Sequence, residues 1–133
     1  MTAISHLDTL LATMEPQLNP GVFVFASVAT LADVEPDSVV AMIRESEGLS
    51  VVMTEADALR QEIAHDFRSA WITLNVNSAL EAVGLTEAFA RALGEVQVSC
   101  NVVAGNYHDH IFVPIDAADV AIEALRSLQS ASN

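Results

Sequence analysis

Apolar residues follow two different periodicities along the chain, and the change from one to the other separates predicted strands from predicted helices. Short apolar runs bounded by polar residues, glycine or proline predict strands. Apolar residues three and four positions apart predict helices with one buried face. The predicted strands are 22–28, 39–44, 49–53, 70–76, 98–103 and 110–113. The predicted helices are 5–14, 54–63, 86–96 and 116–128.

Polar residues at the starts of these helices predict side-chain caps. An oxygen there can accept a hydrogen bond from an otherwise unpaired helix N–H group. The predicted caps are Ser5, Thr54, Thr86 and Asp116.

Three breakers lie between the first helix and the first strand. Pro16, Pro20 and Gly21 predict an irregular segment there, since proline lacks an N–H donor and glycine favours turns. His65-Asp66 is predicted to be a junction between the two halves of the chain.

The two halves end alike, each with a strand, a capping residue and a helix. This order predicts an α+β fold made of two ferredoxin-like βαββαβ halves, with helices on one face of antiparallel sheets. The first half, residues 1–65, lacks the first internal helix and has an added N-terminal helix; the second half is residues 66–133. We expect the added helix to pack between strands 22–28 and 39–44. The uncovered apolar faces predict a homodimer or a larger closed assembly.

Charge narrows the possible partners. The 133 residues include 18 acids and five basic residues, for a formal charge of −13, while 52% of the residues are hydrophobic. Such a chain can bury a core, but it lacks the basic surface that binds nucleic acid or an anionic membrane. Cys100 is the single cysteine, which excludes an intrachain disulfide and fits a reducing compartment. With no signal-peptide pattern at the start, we expect a cytoplasmic protein.

Two segments resemble the ACT domain family. Residues 77–89, with the string EAVGLT, resemble the strand–loop–helix of an ACT unit, and residues 101–113, with YHDHIFV, continue the likeness. The resemblance is closest to small bacterial tandem ACT-like proteins, which are similar to the ACT units of animal arginine sensors. It implies a regulatory module that binds a small molecule such as an amino acid near the first strand–helix loop. It does not imply an enzyme, and we expect no attached catalytic domain.

The loop 81–86 is the candidate ligand site. Free N–H groups and the helix dipole at such a place suit a carboxylate, and Gly84 lets a ligand approach the backbone closely. A ligand ammonium would need an acid such as Glu81 or Asp109. The structural alternative is that Gly84 is only a turn and Thr86 only a cap. The candidate ligand-binding residues are Asn77, Ser78, Glu81, Val83, Gly84, Leu85, Thr86, Asn101 and Asp109.

The two neighbouring histidines and the single cysteine give little support for a catalytic or metal site. If extended, His108 and His110 share one face, yet no third ligand lies at a diagnostic spacing, so local hydrogen bonding is favoured over a metal site. Cys100 lies in an apolar pattern typical of a buried thiol. We expect no cofactor, no metal and no catalytic residue. The alternative to a ligand-binding regulator is a protein-interaction module whose ligand loop is vestigial.

Overall fold

A computed structural model describes residues 6–76 and 83–132. They form an α+β fold, as predicted, with one antiparallel sheet in the order β2-β3-β1-β4-β6-β5. The helices are α1 (Leu7–Thr13), α2 (Glu55–Arg60), α3 (Leu85–Glu95) and α4 (Ala118–Ala131). The strands are β1 (Glu15–Val28), β2 (Val39–Glu45), β3 (Gly48–Thr54), β4 (His65–Asn75), β5 (Asn101–Ala104) and β6 (Asp109–Pro114).

The predicted strand and helix order is confirmed, and the two halves are joined edge to edge. β1 with β2, β3 and α2 forms the first half; β4 with α3, β5, β6 and α4 forms the second. The two central strands, β1 and β4, pair antiparallel from Glu15 opposite Asn75 to Ala26 opposite His65. The sequence did not predict this seam, which merges the halves into one sheet.

The expected break at Pro16, Pro20 and Gly21 is wrong, because β1 runs through all three residues. The register with β4 shifts between Asn19 and Phe23, and Gly21 has a φ of +113°. Pro20 and Gly21 therefore lie at a β-bulge. A bulge tolerates both the missing N–H donor of proline and the positive φ of Gly21. The breakers bend the strand without ending it.

His65-Asp66 begins β4, the first strand of the second half, so the predicted junction lies at the start of a strand. Of the predicted caps, Thr54 is confirmed, since its Oγ1 accepts from the Asp57 N–H at 3.1 Å. Thr86 is not a cap: α3 begins one residue earlier, behind Gly84. Asp116 lies in a 3₁₀ turn that precedes α4, and Ser5 is outside the described residues.

The helices cover one face of the sheet above two apolar clusters. The first-half cluster lies around Val24, Val51 and Met53, with Ala58 of α2 above them. The second-half cluster is larger and includes Phe89 of α3 and Leu125 of α4, both fully buried.

The predicted position of α1 is wrong. Leu10, Leu11 and Met14 are buried in the second-half cluster, where α1 contacts α3 and α4. The reason is the seam: α1 leads into the end of β1 that lies beside Asn75 of β4, so it can cover only that side. In the first half, buried Val34 between two 3₁₀ turns lies where a helix is missing.

The opposite, helix-free face carries an aromatic cluster. Phe23, Phe25 and Phe112 pack with Trp71; the Phe25 and Phe112 ring centroids are 5.5 Å apart at 88°. Phe23 and Phe112 are only 4% and 1% exposed, because neighbouring side chains cover them. This face therefore forms a second, thinner core.

Leu10→Ala should lower the free energy of unfolding by about 2–5 kcal/mol, because it leaves a cavity among fully buried side chains. Leu59→Ala on α2 is the matched control. Leu59 is 64% exposed, so its truncation should change the stability by less than about 0.5 kcal/mol. Urea denaturation measures both, and an equal loss in the two variants would contradict the observed packing of α1.

Candidate functional site

The candidate site lies at the carboxyl end of β4, where the chain passes into α3. Three of the candidate residues, Asn77, Ser78 and Glu81, lie outside the described residues. The described part resumes at Val83, whose side chain is 83% exposed, and α3 follows at Leu85. Leu85 is 3% exposed and points into the core, whereas Thr86 is exposed. Among the described residues 83–86, Val83 and Thr86 have exposed side chains.

Gly84 shapes the start of α3. Its φ of +98° is a left-handed conformation that residues with a side chain rarely adopt, and its carbonyl accepts from the Ala88 N–H at 3.0 Å. Within the described residues, no side-chain cap bonds to the start of the helix. The first-turn N–H groups therefore carry the partial positive charge that attracts a carboxylate.

The close approach that Gly84 allows is made by the chain itself. A Cβ atom built on Gly84 would lie 3.0 Å from Cδ2 of Leu7, in α1. Leu7 therefore covers the glycine from the side on which a ligand was expected. A larger residue at position 84 would meet both Leu7 and an unfavourable φ, so its effect on binding could not be separated from its effect on folding.

Asp109 is the acid that the structure places at this end of the sheet. It opens β6, pairs in register with Leu74 of β4, and is partly buried. Burial raises the pKa of its carboxyl above the ordinary 3.8, against a smaller lowering by His110 and His108. Within residues 6–76 and 83–132 no arginine or histidine forms a salt bridge with it.

Asn101 is not brought to the loop. It pairs with Phe112, and its Nδ2 donates to the Phe112 carbonyl at 3.2 Å. Phe112 belongs to the helix-free face, while Asp109 lies in register with Leu74 of the helix-covered core. Asn101 and Asp109 are therefore on opposite faces.

Both histidines of the cluster make local hydrogen bonds. His108 Nδ1 lies 3.4 Å from the Val76 carbonyl oxygen, and His110 Nδ1 accepts from the Trp71 indole N–H at 3.0 Å. Across the two described stretches, no three His, Cys, Asp or Glu side chains are placed to hold a metal ion. Cys100 is half-buried, and burial raises the pKa of its thiol, which disfavours the nucleophilic thiolate.

Sequence analysis did not identify a hydrogen-bonded row of side chains on the helix-free face, which we call the polar chain. Trp71 and Thr73 both reach His110, and Asn19 of β1 reaches Thr73. The alternation of positions 71 and 73 was a visible signal. The pairing of β4 with β6 and with β1 was needed to place the other two residues beside them.

Two open grooves lie elsewhere on the described surface. One, of about 860 Å³, runs between β1 and α4 past Leu18, Ile122 and Arg126. Another, of about 530 Å³, separates α3 from α4. Both are shallow and open, and neither is lined by Gly84 or Asp109.

Comparison with protein families decides the relationship. Residues 2–70 match one ACT domain model, and residues 66–127 match a second. The chain belongs to the ACT domain family. The resemblance seen in the sequence is thereby confirmed, and ACT domains are typically regulatory modules that bind amino acids.

Solved structures share this fold over most of the chain. A Vibrio cholerae protein of unknown function, described as a possible transport protein, is 42% identical; the alignment covers 92% of this chain and 95% of that chain, with a TM-score of 0.84. An Agrobacterium tumefaciens protein is 16% identical, with coverage of 87% and 89% and a TM-score of 0.72. The regulatory subunit of aspartate kinase from Thermus thermophilus is 10% identical, with coverage of 88% and 97% and a TM-score of 0.66, which shows the fold alone.

A search of curated proteins found no match. None of the ACT helices formed by the described residues is long and apolar enough to cross a membrane.

Asp109→Asn should stabilise the protein at pH 7. Burial raises the pKa of Asp109, so the folded state binds its proton more tightly than the unfolded state. Stability therefore falls as pH rises through the window between 3.8 and the raised pKa, and stays at its lower level above it. The gain should be smaller than about 1.4 kcal/mol, since the carboxyl is partly solvated. Denaturation measured from pH 8 downward should show the gain shrinking toward acid.

Asp66→Asn is the control, because it removes the same charge from an exposed position of the same sheet. An equal gain in this variant would assign the effect to the net charge of −13 and not to the burial of Asp109.

Proposed function

We propose that this chain is a regulatory module that binds an amino acid where β4 leads into α3 and acts on another protein without catalysing a reaction. The observation that carries the proposal is Asp109: a partly buried carboxylate, without a salt bridge in the described residues, at the end of the sheet where α3 begins. Burying an acid without a cation costs stability, and such costs concentrate at functional sites.

The chemistry of an amino acid matches the groups at this end of the sheet. Its carboxylate would accept hydrogen bonds from the N–H groups behind Gly84, in the field of the α3 dipole. Its ammonium, or a cationic side chain, would pair with Asp109. Both partners come from the second half of the chain, while the cover at Leu7 comes from α1.

Regulation in trans is supported by the comparison with aspartate kinase. The regulatory subunit from Thermus thermophilus is a separate chain of almost the same extent, aligned over 97% of its length. A regulator of this size can therefore exist apart from a catalytic chain. The two matched ranges overlap only at residues 66–70, which supports a division into units 1–65 and 66–133.

We propose that the protein is a cytoplasmic homodimer. β2 is an edge strand of the sheet, and two of its apolar side chains are open to solvent: Met42 is 42% exposed and Ile43 is 62% exposed. An edge of seven residues with exposed apolar side chains favours pairing with another chain.

Light scattering should give twice the mass of the chain at micromolar concentration. Ile43→Lys should yield monomers, because it puts a charge on the proposed contact. Leu59→Lys is the matched control: Leu59 is 64% exposed on α2 and should leave the dimer intact. A monomeric wild type, or dissociation by both variants, would contradict the role of β2.

An interaction module with a vestigial ligand loop is the second candidate. The observation that favours it is Leu7, which occupies the space beside Gly84. If a ligand binds there, it must displace the Leu7 side chain. If no ligand binds there, the Leu7 side chain fills the space that a ligand would otherwise occupy.

Calorimetry with the twenty amino acids should detect binding of at least one. Asp109→Asn should lower the affinity for that amino acid by roughly tenfold or more, because a hydrogen bond to a charged group contributes about 1.5–3 kcal/mol. If Asp109→Asn lowers the affinity for all bound amino acids equally, the α-ammonium of the ligand lies at Asp109. If the affinity for arginine or lysine falls more, the cationic side chain of the ligand lies there. Asp66→Asn should bind as the wild type does.

Leu7→Ala separates the two candidate functions. If a ligand competes with Leu7, this variant should bind it about fivefold more tightly, since about 1 kcal/mol of apolar contact no longer opposes binding. Thr9→Ala, on an exposed part of the same helix, is the control. No heat with any amino acid in either the wild type or Leu7→Ala would favour the interaction module.

A further inference from the structure

The polar chain on the helix-free face fixes the protonation state of His110. The Trp71 indole N–H can only donate, and it lies 3.0 Å from His110 Nδ1. Nδ1 must therefore be an acceptor, which makes the imidazole neutral with its proton on Nε2. The Thr73 hydroxyl lies 3.1 Å from the same Nδ1. Asn19 Nδ2 in turn donates to Thr73 Oγ1 at 2.9 Å.

A second proton on His110 would disturb one member of this chain selectively. Protonated Nδ1 is a donor, so it would face the indole N–H, which has no other role than donor. Thr73 can adapt, because its hydroxyl can rotate and accept from Nδ1 while still accepting from Asn19. Trp71 alone would lose its partner.

Trp71 holds the aromatic cluster together. Its ring lies 5.3 Å from Phe23 in an edge-to-face contact and 6.1 Å from Phe112 in a stacked one. Phe23 belongs to β1, Trp71 to β4 and Phe112 to β6, so the cluster crosses the seam between the two ACT units. Movement of the indole would therefore be felt in both units.

We propose that protonation of His110 releases the Trp71 indole from the aromatic cluster, which makes the helix-free face and the seam beneath it respond to acidification. The response occurs on this face and requires no ligand at Gly84 and Asp109.

The groups around His110 determine the pH at which the response occurs. Burial lowers the pKa of His110, His108 lowers it further, and Asp109 opposes both. The side chains of β4 that reach the ring, Trp71 and Thr73, are uncharged, and so is Asn19 of β1, which donates to Thr73. Val103 of β5 pairs with His110 in register, and Glu15 of β1 lies two residue pairs beyond Thr73, opposite Asn75. The transition therefore lies below the ordinary histidine value of 6.5.

Trp71 is the only tryptophan in the sequence, so its intrinsic fluorescence reports on the release of the indole without an added label. The wild type, without any added ligand, is titrated from pH 8 to pH 5, above its isoelectric point of about 4.3. The emission maximum should move to longer wavelength and acrylamide quenching should increase, because the indole enters water. These two readouts are used because a protonated imidazole can reduce the intensity without any movement. Far-ultraviolet circular dichroism should stay constant, since the fold persists.

His110→Gln should abolish the transition, because the Gln amide oxygen can accept from the indole and does not titrate. His108→Gln is the matched control and should keep the transition, with its midpoint at higher pH once the repulsion by His108 is gone. A flat wild-type titration, or a transition retained in His110→Gln, would overturn the proposal. If His110→Gln does not fold, nitrogen NMR of the wild-type imidazole decides: a proton on Nδ1 at pH 8 would equally overturn it.

Discussion

The pairing of β1 with β4 determines most of what is distinctive in this molecule. It joins two ACT units into one sheet, with the two central strands supplied by different units. Because the strands are antiparallel, the start of β1 lies beside the end of β4. This brings α1, which belongs to the first unit in sequence, onto the core of the second unit. The same pairing places Leu7 beside Gly84 and Asn19 beside Thr73, so both the candidate ligand site and the polar chain contain a residue from each unit.

Local patterns predicted the elements well, since each depends on residues close in sequence. Alternation and apolar runs located all six strands, and Thr54 marked the start of α2 by an oxygen that can reach Asp57. The failures concern contacts between distant residues. Proline and glycine signalled a break in the first strand because their effect was judged on an isolated strand; pairing with β4 absorbs them as a bulge. The position of α1 likewise depends on the seam, which no local pattern contains.

The candidate site was predicted from the ACT resemblance more than from geometry, and the structure divides its members. Asp109 lies opposite Leu74 at the carboxyl end of β4, whereas Asn101 lies on the opposite face of the sheet and Gly84 is covered by Leu7. Leu85 is a core residue, whose side chain is unavailable to a ligand. The position of Leu7 beside Gly84 could not be inferred without knowing where α1 packs.

The distribution of the few basic residues bears on the role of Asp109. The chain has five arginines or lysines for 18 acids, so cations are the scarce partner. Three arginines form the salt bridges of the described residues: Arg60 with Glu35 and Asp57, Arg68 with Glu55, and Arg91 with Glu87. Glu35 and Glu87 are more than half exposed, where an ion pair adds at most about 1 kcal/mol.

Asp109, whose charge is destabilised by burial, receives none of these cations. A chain arranged for stability alone would pair its buried acid first, because the benefit of a counter-ion grows as water is removed. An external cation, such as the ammonium of an amino acid, would supply the missing charge. In that case the cost of burying Asp109 in the free protein becomes part of the affinity for the ligand.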